Sequence, residues 1–391
     1  MITLETVYQA AETLKAVARK TDLIYAPKLS TDHSLFLKTE NLQLTGSFKL
    51  RGAYYKISQL TEEQRKCGII ACSAGNHAQG VALAASRMGI KSVVCMPDGA
   101  PISKVEATRA LGAEVCLVPG TYDDAYEHAC KLQKETGATF IHPFNDDDVI
   151  AGQGTIALEI LEQLPDVDAI LVPIGGGGLI SGVAYAAKQL RPDIKIYGVE
   201  AEGAASMFQS RRAGEIVTLD RVSTVADGIA VKRIGNTTFD MIEKYVDDVV
   251  TVSEDEIATA ILSLIEKQKL ISEGAGAVGV AASLFGKLPL AGKKVVAIVS
   301  GGNIDVTILS RIITRGLIKS GRQVSMQIEL DDRPGQLTAI TGIISKCGAN
   351  ILSVYHERLD AKMPISRCFL RVTLETRDFA QIGRASCRER V

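Results

Sequence analysis

Two hydrophobic rhythms divide this chain. Up to about residue 320, short blocks are apolar nearly throughout: residues 91–97, 114–119, 139–143, 169–174, 195–199 and 293–300. Blocks of this kind predict parallel strands covered on both faces. Between them, residues 103–112 and 180–190 place apolar side chains three and four apart with charge on the other side, which predicts helices. Strands alternating with helices make a doubly wound α/β sheet. Ligands of such sheets sit at the carboxyl ends of the strands. After about residue 320 the rhythm changes. Residues 324–330 alternate like a half-buried strand, the run Asp331-Asp332-Arg333-Pro334-Gly335 is a turn, and residues 336–347 are helical with Gly348 as C-cap. Two more strands, 350–357 and 366–374, complete a β-α-β-β order that predicts a small α+β, ferredoxin-like domain. A full unit of that kind needs one more helix and strand, and the chain stops early.

The last ten residues, 382–391, have no apolar periodicity and match the translation of a sequencing-adapter read-through, so they are set apart from fold reasoning. The other reading is a genuine disordered tail. The expected division is therefore 1–322 for a catalytic domain, with a smaller subdomain at about 53–150, then 323–381 for an incomplete regulatory domain.

Composition narrows the function classes. With 391 residues, 46% hydrophobic and a net charge of −1, the chain affords a large core and offers no electrostatic reason to bind nucleic acid or an acidic membrane. No apolar run approaches the roughly 20 residues that span a bilayer, and the N-terminus lacks the form of a signal peptide. Eight cysteines occur without a CxxC pair or a metal-like Cys/His spacing, which fits a reducing cytoplasm.

Four motifs follow in order: Ser47-Phe48-Lys49-Leu50-Arg51-Gly52-Ala53 at a helix start, Ser73-Ala74-Gly75-Asn76-His77 after a further strand ending near Ala71, and Gly175-Gly176-Gly177-Gly178 and Ser300-Gly301-Gly302-Asn303 at the ends of two apolar strands. The Lys49 ε-amine can form a Schiff base with an aldehyde cofactor once its site lowers its pKa; on this segment alone, a surface lysine at a helix start is the favoured reading. Phe48 beside it packs on a cofactor ring. The four glycines between a strand and a helix let the backbone approach an anion, and the helix N-terminus adds free N–H groups. No GK[ST] follows, which argues against an NTP P-loop, and no acidic residue is placed to hold a ribose. The Ser73–His77 turn presents N–H groups to a small carboxylate, with Asn76 able to donate to a phenolate oxygen. His77 is left open between a structural and a catalytic role. The Ser300 hydroxyl either bonds a ring nitrogen without carrying charge or caps the helix that follows. Together these are the parts needed to hold pyridoxal 5'-phosphate.

In this order the motifs resemble the serine/threonine dehydratase family of fold-type II pyridoxal-phosphate enzymes, over roughly residues 5–320. The resemblance implies two doubly wound α/β subdomains, tryptophan synthase β-like. It implies Lys49 as Schiff-base lysine, base and acid, Phe48 against the ring, Asn76 at the 3-hydroxyl, Gly175, Gly176, Gly177 and Gly178 around the phosphate, and Ser300 at the pyridine nitrogen. Ser73, Gly75, Asn76 and His77 would hold the substrate carboxylate. The implied reaction is α,β-elimination of water from L-threonine, or from L-serine as a side activity, giving a 2-oxo acid and ammonia.

Sister enzymes remain as alternatives. A serine racemase of this fold needs a serine where Ala74 stands, and alanine takes no proton. A β-replacing synthase and a non-catalytic amino-acid sensor are the other two. Related enzymes bind a divalent cation at positions matching Glu200, Ala204 and Ser206; serine is a poor ligand for a hard cation, so no metal is expected. The C-terminal segment resembles an ACT domain, through Asp331-Asp332-Arg333-Pro334-Gly335-Gln336-Leu337 and Gly348-Ala349-Asn350. It implies feedback by isoleucine, opposed by valine, with a homotetramer as the family expectation. An oligomerisation module without a ligand is the plainer alternative.

Overall fold

The computed structural model describes residues 2–358 and 364–387 and separates into two compact units, Met1–Asp305 and Val306–Val391. In the first unit the chain begins one sheet with β1 (Leu23–Tyr25) and β2 (Ser34–Lys38). It then leaves to build a second sheet from β3 (Ile69–Cys72), β4 (Ser92–Pro97), β5 (Glu114–Val118) and β6 (Thr139–Phe140). It returns to the first with β7 (Ala169–Pro173), β8 (Lys195–Ala201), β9 (Asp248–Val252) and β10 (Lys294–Ile298). The strand orders are β1-β2-β10-β7-β8-β9 and β5-β4-β3-β6, parallel throughout except for β1 on β2. Every residue of β3 and β7 is buried, as unbroken apolar blocks require when helices cover both faces.

The differences from the sequence reading are local. The expected strand at 139–143 keeps only Thr139–Phe140, since Pro143 has no N–H to give a ladder. Strands β1, β2 and β9 lie outside the predicted set; β1 and β2 hold three and five residues, too few to show a period. No helix among the described residues is long and apolar enough to cross a membrane. No disulfide joins the described cysteines.

Three helices touch through glycine. A Cβ on Gly152 would stand 2.6 Å from the Gly52 Cα, and one on Gly182 would stand 2.6 Å from the Gly154 nitrogen. Helix Asp147–Gln163 therefore meets helix Lys49–Ser58 on one side and helix Gly178–Leu190 on the other, backbone against backbone. Lys49 and the four-glycine turn stand at the starts of the two outer helices.

A buried charge cluster lies beside this stack. Arg51 donates through Nε and Nη2 to the two Glu40 carboxylate oxygens, both at 2.8 Å, and through Nη1 to Glu159 at 2.7 Å. Lys38 Nζ donates to Glu159 at 2.6 Å, and Thr21 Oγ1 to Glu40 at 2.6 Å. Burial pushes the Glu40 carboxyl up, but the Arg51 guanidinium overrides it and holds the pKa below the usual carboxylate range.

The second unit contains helix Val306–Lys319, then β11 (Gln323–Asp331), helix Gln336–Lys346, β12 (Asn350–Glu357), β13 (Arg367–Glu375) and helix Phe379–Cys387. Its sheet is antiparallel, in the order β11-β13-β12. Strand β13 alternates, burying Cys368, Leu370, Val372 and Leu374 against Ile340 and Ile344 of the helix. Gly348 ends that helix at φ +73°, the left-handed conformation expected of a C-cap glycine. Helix Phe379–Cys387 reaches into the segment set apart at 382–391, of which residues 388–391 lie outside the described residues.

Candidate active site

The loops after β3, β7 and β10 converge at the carboxyl ends of their strands. Phe48, Lys49, Asn76, Gly175, Gly176, Gly177, Gly178 and Ser300 line one cavity. Ser73 and Gly75 precede it in a half-buried turn, where Ser73 Oγ accepts the Gly75 N–H at 3.2 Å. The His77 ring turns away. Its Nε2–H donates to the Ile141 carbonyl at 2.8 Å, so the side chain is committed to the scaffold. Burial, with Lys49 nearby, lowers its pKa to about 3 and keeps it neutral. Any carboxylate contact from this position falls to its backbone.

Lys49 is the first residue of its helix, and the loop before it is stitched to the end of β10. Ser47 bridges Gly301, and the Phe48 N–H donates to the Ser300 carbonyl at 3.1 Å. The Lys49 Nζ donates to the Pro143 carbonyl at 2.9 Å and stands 5.3 Å from the Phe48 ring centre. Burial brings its pKa down to about 8, opposed by the Glu273 charge. An amine in that range is free often enough at neutral pH to attack a carbonyl.

The four-glycine turn is shaped for an anion. Gly177 adopts φ +91°, open to glycine at little cost, and the next helix starts at Gly178 with its first N–H groups lacking intrahelical partners. A Cβ on Gly176 would run into the Phe144 ring. Thr238 Oγ1 holds the turn from behind by donating to the Gly176 carbonyl at 2.7 Å. Ser300, buried at the end of β10, does not cap a helix; the next one starts at Val306.

Sequence reasoning missed three residues. Phe144 lines the cavity against the glycines, and Glu273 lines it opposite, accepting the Asn76 Nδ2–H at 2.6 Å. Asn303 donates to Asn76 Oδ1 at 2.8 Å and to the Thr45 carbonyl at 2.7 Å. Asn303 closes a motif already singled out, whereas Glu273 carries no signal beyond the small residues Gly274-Ala275-Gly276 after it. The positions matching a cation site, Glu200, Ala204 and Ser206, gather at the start of helix Ser206–Ala213. There the Glu200 carboxylate accepts the Met207 and Phe208 N–H groups at 2.9 and 2.7 Å, and burial raises its pKa to about 7.

A lysine for an aldehyde, a glycine cradle whose floor leaves no room for a Cβ, an amide and a neutral hydroxyl fit pyridoxal phosphate in donor chemistry. Residues 14–301 match the family model described as "Pyridoxal-phosphate dependent enzyme". The chain belongs to this family. Within it, the chain falls in the fold-type II threonine dehydratase branch, and its cofactor is pyridoxal phosphate. It is 54% identical over 380 residues to an L-threonine ammonia-lyase of Thermotoga maritima, covering 97% of this chain and 94% of that one. It is 45% identical over 384 residues to an L-threonine ammonia-lyase of Geobacter sulfurreducens, covering 98% and 96%. Among solved structures, the processed form of threonine deaminase isoform 2 from Solanum lycopersicum superposes with a TM-score of 0.75 at 42% identity, covering 79% of this chain and 88% of that one.

Proposed function

We propose that this pyridoxal-phosphate enzyme deaminates L-threonine to 2-oxobutanoate and ammonia by eliminating water, with L-serine to pyruvate as a side reaction. The observation that carries the reading is Lys49, a buried amine with a lowered pKa, in one cavity with the glycine cradle. The bound cofactor supplies an electron sink for charge developing at the substrate α-carbon. Lys49 Nζ takes the α-proton and returns one later, a task suited to a nitrogen whose pKa lies near neutrality. The N–H groups of residues 175–178 hold the anionic end of the cofactor, and Phe48 packs against its ring. Ser300 offers a hydroxyl, which bonds a ring nitrogen without placing a charge there and so favours elimination over reprotonation. Ser73, Gly75, Asn76 and the His77 backbone N–H orient the substrate carboxylate. Ala74 supplies no second base, which sets the racemase reading behind this one.

The second unit fits an ACT domain that senses an amino acid. Support comes from the β-α-β-β order and from the Asp331-Asp332-Arg333-Pro334-Gly335 turn that opens helix Gln336–Lys346. Isoleucine as inhibitor and valine as its opponent, a cytoplasmic homotetramer and a place in isoleucine biosynthesis complete the proposal. The test is 2-oxo acid release by the holoenzyme from L-threonine, with and without isoleucine. Release that isoleucine suppresses supports both halves. Release without any isoleucine response removes the feedback half, and no release removes the dehydratase reading.

A further inference from the structure

Glu273 occupies a built niche in the cavity wall. It is 3% exposed, and its N–H donates to the Gly301 carbonyl at 3.1 Å, beside Ser300. A Cβ on Gly301 would strike its Oε1, so glycine there makes room for the carboxyl. Oε1 accepts the Asn76 Nδ2–H at 2.6 Å. Asn76 is oriented from its other end as well. Asn303 Nδ2 donates both to Asn76 Oδ1 and to the Thr45 carbonyl, so neither amide can turn over without stranding a partner. Asn76 therefore shows its NH₂ group to Glu273, on the wall of the cavity that both residues line.

The charges facing Glu273 come from three elements. Lys49 stands at the start of its helix, Lys104 on helix Ile102–Ala110, and Asp227 on the turn Asp227–Ile229, where Lys104 and Asp227 form an ion pair. His77 and His142, which flank Lys49, are kept neutral by burial. Burial first, then Asp227, push the Glu273 carboxyl up against the Asn76 hydrogen bond, Lys104 and Lys49, to about 7.

We propose that Glu273 is a positioning residue whose gain or loss of one solvent proton sets, through the Asn76 amide and the charge at Lys49, the protonation of the cofactor's phenolic oxygen. As a carboxylate it draws the Asn76 N–H and favours a cation at Lys49; as an acid it releases both. This inference rests on the cofactor reading and is independent of the substrate.

The experiment is a pH titration of the holoenzyme's near-ultraviolet and visible cofactor bands without substrate, from about pH 5.5 to 9. The wild-type band ratio is expected to change within this range, and Glu273→Gln to flatten it. Two variants outside the cavity give opposite signs. Asp227→Asn removes a negative neighbour and moves the midpoint down by about 0.3–0.5 pH unit, whereas Lys104→Met leaves Asp227 unpaired and moves it up by a similar amount. These two decide the question even where Glu273→Gln fails to retain cofactor. A Glu273→Gln titration identical to wild type, or Asp227→Asn and Lys104→Met midpoints that coincide with wild type, overturns the proposal. Loss of threonine turnover with the titration intact would count against the proposed reaction instead.

Discussion

Glu40 and Glu273 are both buried carboxyls, and they behave in opposite ways. Glu40 faces Arg51 through two hydrogen bonds and stays ionised. Glu273 faces an amide, with its cations farther off and Asp227 against it, and titrates near neutrality. Burial raises both; what separates them is whether a guanidinium is in contact. The matched cluster is closed by ion pairs, and the mismatched one lines the cavity. A buried pair is costly to break even where it adds little net stability, while a buried acid without a cation is a functional-site signature.

Four experiments break or sharpen this contrast. The largest effect is expected for Lys49→Ala, which should lower 2-oxobutanoate release from L-threonine by at least about 10³-fold, or about 4 kcal/mol in barrier, with the denaturation midpoint of the cofactor-free chain kept. Collapse of that midpoint would mean the cavity lysine is structural. Arg51→Met should do the reverse, costing roughly 3–5 kcal/mol of stability in chemical denaturation by leaving Glu40 buried and uncompensated. A smaller loss than Lys49→Ala causes would erase the distinction.

The third is a pH profile of cofactor-free stability. A carboxyl raised in the fold is bound to its proton more often there than in the unfolded chain. The Glu273 and Glu200 contribution is therefore full below their ordinary range near 4.5 and is lost as pH rises through about 7. For Glu40, held below its usual range, the contribution is present above about 4.5 and lost as pH falls. Glu273→Gln should make the neutral limb shallower, leaving the Glu200 share, and leave the acid limb; an unchanged neutral limb would contradict its raised pKa. The smallest effect belongs to Lys294→Ala, which removes an ion pair to Asp166 between largely exposed side chains. Its midpoint should match wild type, and a clear drop would show that exposed pairs count here.

What could be read from the sequence follows the same division. β7 and its four glycines were legible because a strand covered on both faces is apolar at every position and the turn that follows is made of one residue type. The alternation of residues 324–330 in β11 was legible because its apolar side chains share the less exposed face. β1 and β2 were not, being too short for a period to repeat. Lys49, Asn76 and Ser300 stand out because each belongs to a run of unusual composition. His77 lies in such a run too, yet its ring serves Ile141, a contact made across 64 residues of sequence. Glu273 meets Asn76 across 197 residues, and Phe144 meets the glycines only once helices are packed, so no local pattern announces either.

The glycine contacts among helices Lys49–Ser58, Asp147–Gln163 and Gly178–Leu190 bear on how such an enzyme could change over generations. Where helices meet through side chains, a substitution on one surface can be answered by another, and the spacing drifts. Where they meet through bare backbone, there is nothing left to trim, and any added methyl pushes the lysine away from the cradle. The distance from lysine to cradle is set by backbone contact rather than by side chains. A lineage can thus acquire a new reaction without ever having to rediscover the distance between its two anchors.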